Sequence, residues 1–280
     1  MHARLLARAK ARGEDFNWIL SRYAVERFLY RLSISPARDR YWLKGALLFE
    51  LWFATPHRPT RDADFLGFGP DDSETLAAAV REISAVEADD AMVFDPRTIQ
   101  VEEIREGARY SGLRVKLVGR LGNARCPVQL DVGFGDAVTP GPVEIEFPTL
   151  LSDQPAPRLR AYPRATVVAE KLEAIVSLGM TNSRMKDYFD LFALAREGGL
   201  GAELLGEAIA ATFVRRETPL PTAPPLGLSE EFARDATKQT QWKAFLAKNK
   251  LDAATLGDVV TEIRRFVAEP LRIAAERTPS

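Results

Sequence analysis

Residues 42–69 read WLKGALLFELWFATPHRPTRDADFLGFG, and the reading of this stretch decides the fold. A short apolar segment, Trp42-Leu43, leads into a turn at Lys44-Gly45. Residues 46–53 carry an apolar helical pattern, and a Pro-bounded loop follows. The stretch closes on Asp62-Ala63-Asp64 at the start of an apolar run, Phe65 to Phe68. In an extended strand, residues two apart project from one face, so Asp62 and Asp64 point together. Carboxylates held side by side repel unless a cation lies between them. A solvated strand end with two ordinary surface acids has the same spacing, and D-x-D alone does not separate the two readings. The surroundings favour the cation. Gly45 gives a turn where backbone can approach a phosphate, the next helix can offer N–H groups, and Thr60 adds a hydroxyl. Mg²⁺ takes oxygen ligands and is commonly held by one or two carboxylates plus substrate phosphates.

Composition bounds the classes this stretch can serve. The 280 residues are 46% hydrophobic and 28% charged, an ordinary globular balance with room for one large or two modest domains. A net charge of −1 gives no global basic field, so any contact with nucleic acid must come from a local patch. The single cysteine, Cys126, excludes an intramolecular disulfide framework. With His2 and His57 as the only histidines, zinc chemistry of the Cys/His kind lacks ligands. Charges run through MHARLLARAKARGEDF where a secretory leader is apolar, and no stretch reaches membrane-spanning length. A soluble, cytoplasmic protein without a membrane partner is expected.

Outward from the opening stretch, Leu5 to Leu32 reads as one helix, with Arg4, Arg8, Lys10 and Arg12 as a basic, solvated face. Ser35-Pro36 ends it. Pro70 to Ser73 turns the chain into an alanine-rich helix over residues 74–86. From Thr98 the period becomes two. Leu113, Val115 and Leu117 alternate with Arg114 and Lys116, and Val128, Leu130 and Val132 with Gln129 and Asp131. With a hairpin turn at Gly122-Asn123 and a short strand over 143–147, residues 98–148 read as a β-meander. Asp131 stands on the polar face of its strand, as a solvent-facing acid or as a partner for other carboxylates.

The second half is helical, over residues 166–178, from Met185 to Gly198-Gly199, over 202–214, around Lys238 to Lys248, and from Leu256 to Pro270 or beyond. The Pro-rich segment ETPLPTAPPLGL, 217–228, reads as a linker or surface loop, and Trp242 as a packing anchor. Lys171 lies inside the stripe formed by Val167, Val168, Leu172, Ile175 and Val176, so it must snorkel or find an anion. Asp187 falls in a first helical turn, where the helix dipole alone would explain it.

Two separated motifs carry a resemblance. LKGALLFELW…RPTRDADFL resembles the nucleotidyltransferase-type toxins of the AbiEii/AbiGii kind, within the polymerase-β-like superfamily. EKLEAIVSLGMTNSRMKDYFDLFAL, 170–194, is similar to the later motifs of that family, a Lys on one helix and a K-D-x-x-D-L block after a short loop. In the right order, the two are more specific than either alone. One departure is visible: Ala46 follows the turn glycine where the family usually has Ser or Thr.

The resemblance implies an α+β fold, with a nucleotidyltransferase-like mixed sheet and flanking helices over residues 1–160. A helical domain over 161–280 would complete the cleft. It implies Mg²⁺, or Mn²⁺, on Asp62, Asp64 and a third carboxylate from a neighbouring strand, for which Asp131 is best placed. Lys171 matches the family's catalytic lysine and Asp187 its later aspartate. NTP contacts are expected from Lys44, Gly45, Thr60, Arg61, Lys171 and Lys186, and RNA contacts from Arg58, Arg184 and Lys186. The family also implies a toxin that modifies RNA, often tRNA, and a cognate antitoxin. Two rivals stay open: a small-molecule nucleotidyltransferase of the antibiotic-resistance kind, and a catalytically inactive binding module that kept the fold, which Ala46 keeps in play.

Overall fold

The computed structural model describes residues 1–53, 58–105, 111–252 and 254–277. His57 and most of the expected Pro-bounded loop lie outside the described residues. The chain forms two compact units: Met1–Gly135 with Val143–Tyr162, and Asp136–Pro142 with Pro163–Ser280. The expected α+β class is present, with a seven-stranded mixed sheet in the first unit and helices throughout the second.

The first unit opens with α1 (His2–Arg12) and α2 (Phe16–Ser33), where the sequence suggests one helix. Gly13 takes a left-handed conformation at φ 65° that closes α1, and the Asp15 side chain accepts from the Trp18 N–H at 2.8 Å to start α2. β1 (Tyr41–Lys44) follows, then a 3₁₀ turn (Gly45–Leu48) and a one-turn helix α3 (Phe49–Trp52). After β2 (Asp62–Gly67), Asp72 caps α4 (Ser73–Ala85). β3 (Met92–Arg105), β4 (Ser111–Leu121) and β5 (Ala124–Phe134) make the meander. β3 starts well before Thr98, because its register shifts between Asp95 and Gln100 around Pro96, which cannot donate to a ladder. β6 (Val143–Glu146) and β7 (Arg158–Ala161) form a hairpin.

The sheet order is β3-β4-β5-β2-β1-β7-β6, so β6 lies at the edge opposite β3 and does not extend the meander. From α2 and α4, Phe28, Leu32, Leu76, Val80 and Ile83 gather with Tyr41, Phe65, Leu130 and Val132 of the sheet. Strand alternation therefore turns Asp62, Asp64 and Asp131 to the other face.

The second unit contains α5 (Arg164–Leu178), α6 (Met185–Glu197), α7 (Ala202–Arg215), α8 (Glu230–Arg234), α9 (Ala236–Asn249) and α10 (Leu256–Arg277). α10 runs through Pro270. The Pro-rich segment is more than a surface linker, because its end is part of the core. Leu228 is fully buried, and the Gly227 carbonyl accepts from the Tyr188 hydroxyl at 2.9 Å. A Cβ on Gly227 would lie 2.7 Å from the Ile175 carbonyl oxygen. Trp242 is buried, stacked on Phe245 and anchored by its indole N–H to the Ala254 carbonyl, as a packing residue should be.

Candidate active site

The register aligns charged side chains in one row across five strands, on the sheet face away from α2 and α4. Lys44 of β1 lies opposite Asp64 of β2, and Asp64 opposite Asp131 of β5. Asp131 lies opposite Arg114 of β4, and Arg114 opposite Glu102 of β3. Asp62 stands one pleat along, opposite Gln129. Like charges directly opposite each other on neighbouring strands repel, and Asp64 and Asp131 are such a pair. Lys44 and Arg114 flank them, so the middle of the row reads plus, minus, minus, plus.

Gly45 explains the position of Asp64. Its φ is +74°, and a Cβ added there would lie 2.1 Å from Asp64 Oδ2 and 2.7 Å from Cγ. Only glycine takes that φ without strain and leaves the carboxylate its place. The expected helix over residues 46–53 is instead the 3₁₀ turn followed by α3, so no long helix N-terminus is available there to receive a phosphate.

Asp131 does not stand alone beside Asp64. Arg114 forks onto it, Nε donating to Oδ1 at 2.8 Å and Nη2 to Oδ2 at 2.7 Å. Gln129 adds a contact to Oδ1 at 3.3 Å. These hydrogen bonds push the Arg114 pKa up against the effect of burial, and the charges of Asp131, Asp62 and Glu102 add to the rise. Among the described residues, no three His, Cys, Asp or Glu side chains stand together as a metal site. The donor chemistry of Asp62 and Asp64 still suits Mg²⁺ or Mn²⁺. They are hard oxygen donors on one strand face, and such ions take one or two carboxylates with substrate phosphates completing the shell.

The second unit holds Lys171, Arg184, Lys186 and Asp187. Lys171 of α5 sits against α6, with Nζ 2.7 Å from Asp187 and 2.8 Å from Asp190. Both carboxylates are buried, at 1% and 0% exposure, while the Lys171 side chain keeps 13%. The lysine inside an apolar stripe thus has its anion, supplied by the protein itself. Arg184 reaches the other Asp187 oxygen at 2.6 Å, and the Asn182 side chain accepts from the Arg184 backbone N–H. Burial alone would raise the Asp187 pKa, but Lys171 and Arg184 outweigh it and hold the carboxyl below its ordinary value. The remaining predicted contacts are at the surface: Lys186 and Arg61 are exposed, and Arg58 and Thr60 are half-buried.

A family profile described as the nucleotidyl transferase AbiEii toxin of type IV toxin–antitoxin systems matches residues 27–268. The chain belongs to the AbiEii family. It is therefore a nucleotidyltransferase of the toxin–antitoxin class, in agreement with the resemblance of its two motifs. Among solved structures, this AbiEii chain is similar to JHP933 from Helicobacter pylori, at 14% identity and TM-score 0.47 over 91% of each chain. A second H. pylori protein, provisionally named a nucleotidyltransferase, matches at 13% identity and TM-score 0.46 over 93% of this chain and 97% of its own. A search of curated proteins returned no match.

Two residues of this AbiEii chain join the predicted sets. Arg114 follows from the strand alternation that puts it on the same face as Asp131, although a cross-strand register is not visible in sequence. Asp190 lies three residues after Asp187, on the same helix face, where a single lysine can meet both.

Proposed function

We propose that this AbiEii-family enzyme transfers a nucleoside monophosphate from an NTP to an RNA acceptor of the tRNA class, in the cytoplasm, and that a cognate antitoxin neutralises it. An acceptor oxygen attacks the α-phosphorus, a new P–O bond forms, and the bond to pyrophosphate breaks. The observation that carries this reading is the row Lys44, Asp64, Asp131, with Asp62 one pleat away, in a chain whose family match spans 27–268. Asp62 and Asp64 would hold Mg²⁺ or Mn²⁺, which when bound stabilises charge on the attacking and leaving oxygens.

Lys44 supplies positive charge beside Asp64, where triphosphate oxygens gather. Gly45 keeps the Asp64 carboxylate in place. Lys171, to which the family motif gives the role of catalytic lysine, is held by Asp187 and Asp190. Arg61, Thr60 and Lys186 contribute further phosphate contacts, and Arg58, Arg184 and Lys186 contact the RNA backbone. Among the described residues, no helix is long and apolar enough to cross a membrane.

The test is label transfer from each of the four NTPs to total RNA, with and without Mg²⁺, by wild type and Asp64→Asn. The expected result is Mg²⁺-dependent labelling by wild type and none by a variant whose circular dichroism is unchanged. Wild-type rates from Asp64→Asn would overturn the metal assignment. Labelling of a cationic drug in place of RNA would identify a small-molecule enzyme.

A further inference from the structure

Arg114 is the one cation in the carboxylate row that the mechanism above does not use. Nε and Nη2 are committed to Asp131, which leaves the other guanidinium N–H donors for a further acceptor. Glu102 is the acid next to it in register, but Glu102 is bound by Lys116 at 2.6 Å. The Arg114 side chain keeps 32% of its surface exposed, so its free edge is open to a ligand. A planar fork of this kind matches phosphate oxygens, and a guanidinium pinned along one edge loses little freedom in binding a second anion along the other. Asp131, by contrast, has both oxygens engaged in a charge-assisted pair. The pair fixes where that carboxylate points, although each oxygen keeps a second lone pair, so the choice between holding Arg114 and ligating a metal is one for experiment.

We propose that Arg114 contacts the phosphates of the donor nucleotide, and that Asp131 is its positioning residue, holding the guanidinium beside Asp62 and Asp64 instead of ligating the metal. This rests on the reading of the row as a nucleotidyl-transfer site, and it gives the third carboxylate a role different from the one the family resemblance implies.

The experiment separates the two binding events. Mn²⁺ alone is titrated by electron paramagnetic resonance against wild type, Asp64→Asn, Asp131→Asn, Arg114→Ala and Arg114→Lys. Each of the four α,β-methylene NTPs is then titrated in the presence of the ion, and KM and kcat are measured with RNA. Arg114→Ala should weaken nucleotide binding about 10- to 100-fold, the size of a lost charge-assisted pair, with Mn²⁺ affinity within about twofold of wild type. Arg114→Lys should restore part of the nucleotide affinity, since charge returns without the fork. Asp131→Asn should keep its Mn²⁺ affinity and raise KM more than it lowers kcat.

A loss of Mn²⁺ affinity in Asp131→Asn as large as in Asp64→Asn would overturn the proposal and make Asp131 a ligand. So would an Arg114→Ala variant that binds nucleotide like wild type. Unchanged Mn²⁺ binding in Asp64→Asn would instead sink the underlying carboxylate reading, whatever Arg114 does.

Discussion

Replacing Gly45 with alanine tests the link between the turn and the strand that carries Asp62 and Asp64. The residue has φ +74°, so any side chain incurs left-handed strain of about 1–2 kcal/mol. For a unit of this size that lowers the melting temperature by roughly 3–8 °C. The methyl group adds a second effect, because its position is 2.1 Å from Asp64 Oδ2. Ordinary contact requires the carboxylate to retreat by about 1 Å, and a misplacement of that size at a reacting centre can lower the rate about 100-fold. Gly122 supplies the control. It has φ +59°, and nothing lies within 4 Å of its Cβ position. Thermal melts and NTP-to-RNA transfer are measured for Gly45→Ala and Gly122→Ala together. Both should melt lower, Gly45→Ala by at least as much as Gly122→Ala, and only Gly45→Ala should lose transfer. A Gly45→Ala enzyme with wild-type rates would refute the seating of Asp64, and equal rate losses in both variants would reduce the effect to backbone strain.

Lys171→Met should destabilise the helical unit by about 3–5 kcal/mol in urea, because Asp187 and Asp190 stay buried without their cation. The triple variant with Asp187→Asn and Asp190→Asn should recover most of that, and a single variant within about 1 kcal/mol of wild type would contradict the buried cluster. The pH dependence follows from the depressed Asp187 pKa. Its ionised form contributes stability above the unfolded carboxyl value of about 4, and that stability is lost as the pH falls through the lower folded value. Urea midpoints between about pH 6 and 2 should therefore decline less steeply in Asp187→Asn, and parallel curves would exclude Asp187 as the source. Neutralising Arg184 and Lys186 together should lower RNA affinity and reduce the slope of log K against log salt by up to about two, with Lys186→Gln responsible for most of it. Arg184 already bonds Asp187, whereas Lys186 is exposed. An unchanged slope would point to a small-molecule acceptor.

The sheet's polar face was legible because period two is a local property. Asp62 and Asp64, and Gln129 and Asp131, each reveal their face from their own strand, with buried Ala63, Leu130 and Val132 between them. Strand partners are not local. The alternation at 143–147 looked like the next strand of the meander, but β6 pairs with β7 across the sheet, a contact set by a parallel β7–β1 alignment. β1 itself is four residues long, too short for alternation to declare it. The break between α1 and α2 carried an ordinary signal, Gly13 followed by Asp15, which an otherwise continuous helical pattern hid. In α2, Arg22, Glu26, Arg27 and Arg31 are buried, which the helical period does not declare. Their partners are distant in sequence: Arg22 donates to Glu50, Arg27 to the Pro155 carbonyl and Arg31 to Asp90 at 2.6 and 3.0 Å, while Glu26 accepts from the Leu150 N–H.

The same limit governs how positive charge should be counted in this protein. Sequence alone offers Arg4, Arg8, Lys10 and Arg12 as a basic stripe and Arg58, Arg61, Arg184 and Lys186 as a basic rim. In the structure Arg4 forks onto Asp153, and burial lowers the Arg8 pKa. Arg184 is shared with Asp187, and Arg216 is enclosed by Asp136, Glu170 and Glu173. A chain with net charge −1 can pair most of its guanidinium groups internally, so clusters of basic letters overstate the cationic surface. On the proposed reading, phosphate recognition would fall to cations whose pairing leaves donors pointing outward or whose side chains stay exposed. Arg114 is of the first kind, held by Asp131 along one edge only, and Lys186 and Arg61 are of the second. For a nucleotidyltransferase with a polyanionic acceptor, discrimination between donor and acceptor phosphates can follow this division. On the same reading, Arg114, pinned in the carboxylate row, would meet a nucleotide in one geometry, and an exposed cation such as Lys186 could meet an RNA backbone in many.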